Sequence, residues 1–117
     1  MKTYQELLAD AKSRVREIGV KDALALSQSS LDTVFLDVRE PQEYNLGKIP
    51  RAVTISRGNL EKNVEGQVAR DTPVVVYCAN GNRSAFAADV LSVMGYANVR
   101  SLREGFSGWV AEGGDVE

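Results

Sequence analysis

The chain has 117 residues, 14 basic and 16 acidic for a net charge of −2, with no histidine and a single cysteine. That length fits one domain around one core, and the charge balance offers no basic field for nucleic acid or anionic lipid. The missing histidine excludes histidine-ligated zinc and any cysteine–histidine couple, and a lone cysteine forms no internal disulfide.

No apolar run approaches the roughly 18 residues that a bilayer span needs. The opening stretch MKTYQELLADAKSRVREIG has no apolar signal region, so a cytoplasmic protein is expected. Tyr4, Leu7, Leu8, Ala11, Val15 and Ile18 recur at helical spacing, which predicts an amphipathic helix over residues 3–17 with Gly19 as its stop. Residues 1–19 are thus expected to form a helical extension packed on a single domain that fills 1–117. KDALALSQ predicts a second short helix. TVFLDV (33–38) is rich in β-formers and predicts a strand. EPQEYNLG predicts a turn and one helical turn, with Pro41 near its start. AVTIS (52–56) is another strand, and RGNLEKNVEGQVAR a polar helical crossover with a solvated charged face. PVVVY (73–77) is continuously apolar, as strands covered on both faces are. SAFAADVLSVMGY predicts a buried helix ending at Gly95, NVRSL a last strand, and EGFSGWVAEG a final short helix. Within it, Phe106 and Trp109 are expected to close the core.

Strands alternating with helices predict a doubly wound, three-layer α/β domain with a mainly parallel central sheet of about five strands. In such sheets ligands sit beyond the carboxyl ends of the strands, near a switch in strand order. The single cysteine falls at such an end, in the stretch CANGNRS (78–84). Gly81 accepts positive φ, and Asn80 and Asn82 tolerate it. Successive loop amides can then point inward as an anion nest, with the positive end of the next helix behind them. Ser84 is the expected N-cap of that helix, and Arg83 brings a fixed positive charge. A core cysteine needs no polar cradle, so Cys78 reads as a nucleophile or anion site, with Ala79, Asn80, Gly81, Asn82, Arg83 and Ser84 as the binding loop.

CANGNRS resembles the active-site loop of the rhodanese family, C-x-x-G-x-R-S. FLDVREPQEYNLGKIPRAVTI resembles that family's D-V-R-x-x-x-E-(Y/F)-x-x-G-H-I-x-G-A, and SLREGFSGW its closing L-x-G-G-x-x-x-W. The three segments occur in family order and cover nearly the whole chain. Three positions depart from the pattern: Lys48 replaces the usual His, Arg51 the usual Gly, and Glu104 the first Gly of the closing pair.

The resemblance implies a rhodanese-like domain and a sulfurtransferase. The Cys78 thiolate would take sulfane sulfur from a donor such as thiosulfate, hold it as a persulfide, and pass it to cyanide or to a thiol or protein acceptor. No metal, cofactor, nucleic acid or membrane is implied. A cysteine phosphatase or arsenate reductase is the competing enzyme reading, but that class spaces five residues between Cys and Arg where this loop has four. A non-catalytic binding module is the other alternative. Asp37, at a strand end, reads as an acceptor for backbone groups. Arg39 either pairs with Glu43 one helical turn away, orients Asp37, or meets an anionic donor. Arg83 either reaches the donor's sulfonate or turns to a carboxylate such as Glu43.

Overall fold

The computed structural model describes residues 1–117. Thr3 opens helix α1 (Tyr4–Arg14) with a capping box: its hydroxyl accepts from the Glu6 amide, and the Glu6 carboxylate accepts from the Thr3 amide. Here the structure corrects the sequence reading. The helical periodicity runs on to Ile18, but the helix stops at Arg14, and Arg16–Ile18 is a strand, β1. Pairing decides this. Arg16, Glu17 and Ile18 lie in parallel register with Arg100, Ser101 and Leu102, and hydrogen bonds to a distant strand outweigh a local helical preference. Gly19 does not close α1 but stands at the N-cap of α2 (Val20–Ser29).

Strands β2 (Val34–Asp37), β3 (Val53–Thr54), β4 (Val74–Tyr77) and β5 (Val99–Leu102) complete a five-stranded, all-parallel sheet in the order β1-β5-β4-β2-β3. From β2 the chain winds outward to β3, and from β4 it winds the other way to β5. The switch in strand order therefore falls between β2 and β4, whose last residues, Asp37 and Tyr77, are register partners.

Alternation along β4 divides the core. Val74, Val76 and Cys78 face one layer with Leu60, Val64, Ala87, Ala88 and Leu91, whereas Val75 and Tyr77 face the other with Val20, Ala23, Phe35 and Trp109. The first layer holds α4 (Leu60–Asn63) and α5 (Asn82–Val93), with α1 outside α5, tied by an Arg14–Asp89 fork at 2.7 and 3.0 Å. The second holds α2 and α6 (Gly105–Ala111). The short helix α3 (Pro41–Tyr44) follows β2.

The crossover at 57–70 is less regular than its composition suggests. Two 3₁₀ turns, Arg57–Asn59 and Val64–Gly66, flank α4. Its charges do face water, but Leu60, Val64 and Val68, four residues apart, are buried beneath them. No helix is long and apolar enough to cross a membrane.

The family departures have local explanations. Arg51 is the one non-glycine residue at positive φ, +66°, where glycine would carry no steric cost. Glu104 accepts from the Val20 amide at 2.9 Å and so caps α2, whose N-cap Gly19 has no side chain for the task. Lys48 pairs with Glu117 through its side chain and through two backbone hydrogen bonds.

Candidate active site

Cys78 follows β4 directly, at the switch point, and is completely buried. Its sulfur accepts from the Gly81 amide at 3.2 Å and the Ser84 amide at 3.3 Å. Helix α5 begins at Asn82, earlier than the sequence suggests, with Gly81 rather than Ser84 at the N-cap. Gly81 has no side chain to cap with, so the sulfur fills the place that an N-cap oxygen takes, bonded to the third amide of the helix. Negative charge on that atom faces the positive end of a 12-residue helix. Asn80 Oδ1 lies 3.9 Å from the sulfur and also accepts from the Asn82 amide at 3.2 Å, which tightens the turn.

Two glycines permit this packing. Gly81 has φ +93°, and a Cβ there would meet the Arg103 carbonyl oxygen at 2.3 Å. Gly105 has φ +65°, and its Cβ would stand 2.5 Å from the carbonyl carbon and oxygen of Ala79. The loop is thus pressed against the turn between β5 and α6. The Phe106 amide donates to Cys78 O at 2.8 Å, and the Ser107 amide to Ala79 O at 3.1 Å.

The remaining candidates separate into two groups. Asn80, Gly81 and Ser84 surround the sulfur. Arg83 turns away and forms a fork with Glu43, at 2.7 and 2.9 Å. That fork, the largest influence on both groups, holds the Glu43 carboxyl down at about 2 and raises the Arg83 guanidinium above its ordinary range. Of the two readings of Arg83, the structure has the carboxylate one.

Asp37 and Arg39 make no hydrogen bond to the cysteine loop. They form a buried ion pair, with Arg39 Nη2 2.7 Å from Asp37 Oδ2 and Nε 3.0 Å from Oδ1, and Asp37 also accepts from the Arg39 amide. The guanidinium donates to the Gly47 carbonyl at 2.7 Å and lies 4.2 Å from the centre of the Phe106 ring. Arg39 therefore ties the loop after β2 to α6 and does not pair with Glu43. Nearby, Tyr77 Oη accepts from the Ile49 amide at 3.1 Å, and burial keeps this hydroxyl protonated far above its usual range.

Sequence reasoning missed Ser101. It is fully buried on β5, and its hydroxyl lies 2.8 Å from that of Ser84, which is itself 3.6 Å from the sulfur. Its only trace in the sequence is a serine at an inward position of an apolar strand, two residues after Val99.

A central parallel strand that delivers a buried cysteine into a short amide loop at a helix N-terminus defines a cysteine-centred α/β domain whose sulfur accepts from backbone amides. The chain belongs to the rhodanese-like domain family, whose sequence profile matches residues 20–112. It is 35% identical over 98 residues to the thiosulfate sulfurtransferase GlpE of Tolumonas auensis, covering 83% of this chain and 90% of that protein. The polysulfide-sulfur transferase homodimer of Wolinella succinogenes superposes with a TM-score of 0.83 at 29% identity, over 97% of this chain and 86% of that one. A protein of unknown function from Rhodopseudomonas palustris, described as a possible tyrosine phosphatase, superposes with a TM-score of 0.91 at 34% identity, over 100% and 96% of the two chains. Membership of this family and the GlpE relative support a sulfurtransferase.

Proposed function

We propose that this protein moves sulfane sulfur from thiosulfate or a persulfide donor to cyanide or a thiol acceptor, through a persulfide on Cys78. The observation that carries the reading is the sulfur held by two amides at the start of α5. In the first half-reaction the Cys78 thiolate attacks the outer sulfur of thiosulfate. The S–S bond of the donor breaks, sulfite leaves with the electron pair, and the loop keeps a Cys78–S–S⁻ anion. In the second, the acceptor attacks the outer sulfur, and the bond between the two sulfurs breaks. The pair returns to Cys78 Sγ, giving thiocyanate when the acceptor is cyanide. The amides act as fixed donors for charge that stays on sulfur throughout. A free thiol as the working group suits a reducing compartment such as the cytoplasm.

The likeness to a possible tyrosine phosphatase keeps phosphoryl chemistry as the second reading. Against it stands Arg83, whose guanidinium is taken up by Glu43 rather than aimed at the loop. The experiment is intact-mass spectrometry after incubation with thiosulfate. One sulfur should add to the wild type, come off with cyanide or a reductant, and be absent from Cys78→Ser. A wild type that stays unmodified but hydrolyses p-nitrophenyl phosphate through Cys78 would replace this reading with the phosphatase one.

A further inference from the structure

Ser84 and Ser101 stand out in a layer of apolar side chains. Both are completely buried, and Ser101 lies on the face of β5 that carries Val99 into the core. A buried hydroxyl is costly unless its hydrogen bonds are made. The Ser101 hydroxyl makes one, to Ser84 Oγ at 2.8 Å. Glu17, its register partner on β1, has a buried Oε2 that makes no hydrogen bond to it.

The pair can be arranged in two ways. If Ser84 donates to Ser101, the Ser101 proton is left buried with no acceptor. If Ser101 donates to Ser84, that proton is satisfied; the Cys78 thiol, which donates to Ser84 Oγ at 3.6 Å, gives up its proton on ionising, and the Ser84 proton can then turn to the anionic sulfur. The second arrangement leaves no orphan, so an anionic sulfur is the natural end of the chain.

We propose that Ser101 is a positioning residue for sulfur transfer: acting only through Ser84, it holds a hydroxyl proton aimed at Cys78 Sγ. This rests on the persulfide reading above. Its effect should fall mainly on the second half-reaction. There Sγ is the leaving atom, and negative charge grows on it as the bond to the outer sulfur breaks, so a donor aimed at it lowers the barrier. In the first half-reaction Sγ is the nucleophile, and the same donor both stabilises the thiolate and blunts its attack, effects that largely cancel.

The test uses the full chain and follows the two half-reactions separately by mass: loading from thiosulfate, and discharge of the loaded protein to cyanide. Losing a hydrogen bond to a charged atom should slow discharge by Ser84→Ala roughly tenfold or more. Ser101→Ala removes only the orientation and polarisation of that donor and should slow it roughly threefold to tenfold. Loading by Ser101→Ala should change less than discharge. The double variant should discharge no more slowly than Ser84→Ala alone, because Ser101 has no route to the sulfur except through Ser84. A residue that merely fills space would instead give a double variant slowed by the product of the single effects, and that result overturns the proposal. So does a Ser101→Ala protein that discharges at the wild-type rate while the wild type loads normally, an outcome that leaves the persulfide reading intact. A wild type that never loads removes both.

Discussion

Gly105→Ala is the most exacting test of how the cysteine loop is held. The added methyl would sit 2.5 Å from the Ala79 carbonyl carbon and oxygen and 2.6 Å from the Asn80 amide nitrogen, all backbone atoms with no rotamer to change. Ordinary contact requires the two segments to part by roughly 1 Å. A non-glycine residue at φ +65° adds about 1–2 kcal/mol of conformational strain, and forced overpacking typically costs about 1–3 kcal/mol more. The displacement also falls on the two hydrogen bonds that α6 makes to the Cys78 and Ala79 carbonyls. A shift of that size in a catalytic loop costs about a hundredfold in rate. We therefore expect urea denaturation to give a loss of about 2–5 kcal/mol, and persulfide loading to fall by about two orders of magnitude in the fraction that stays folded. Gly113→Ala is the control, since it too has positive φ, +82°, but its Cβ would meet nothing within 4 Å. A Gly105→Ala protein with wild-type loading and no greater instability than Gly113→Ala would refute the claim that this close approach sets the loop.

Three other outcomes follow from the same geometry. Asp37→Ala leaves the Arg39 guanidinium buried without its counter-charge, and urea unfolding should show a loss of about 3–5 kcal/mol; a loss under about 1 kcal/mol would mean that the charge finds water. Arg51→Gly relieves a left-handed residue and should raise stability by about 1 kcal/mol in thermal or urea unfolding, with sulfur loading unchanged. Glu43 is held at about 2 when folded, below its ordinary 4.5, so its contribution is complete above 4.5 and is lost as pH falls toward 2. Both partners are about a third exposed, so the pair contributes only about 1 kcal/mol. The stability gap between wild type and Glu43→Gln should therefore be widest near neutral pH and close in acid, and a gap that widens in acid would show the sign to be wrong.

Local signals were readable wherever a short-range rule applied. PVVVY could only be a covered strand, and Gly81 within Asn-Gly-Asn marked a turn with positive φ. The cysteine at that junction marked the candidate site, because strand end, turn and helix start are contiguous in the chain. Strand β1 was not readable: three residues are too few for a period of two to show, and Ile18 fits a helical stripe equally well. The capping role of Glu104 was hidden for a related reason, since its partner Val20 lies 84 residues away.

The same division runs through the site. Which sulfur is the candidate, which loop cradles it and which helix end lies behind it follow from seven consecutive residues, because amides and cysteine belong to one turn of chain. Where the charged and hydroxyl groups point was decided by tertiary structure alone. Arg39 took Asp37, two residues before it, rather than Glu43; Glu43 was left for Arg83, 40 residues on, and Ser101 met Ser84 as β5 packs on α5. A side chain with several eligible partners in sequence has its hydrogen bond settled by distance and burial, and those exist only once the sheet has assembled.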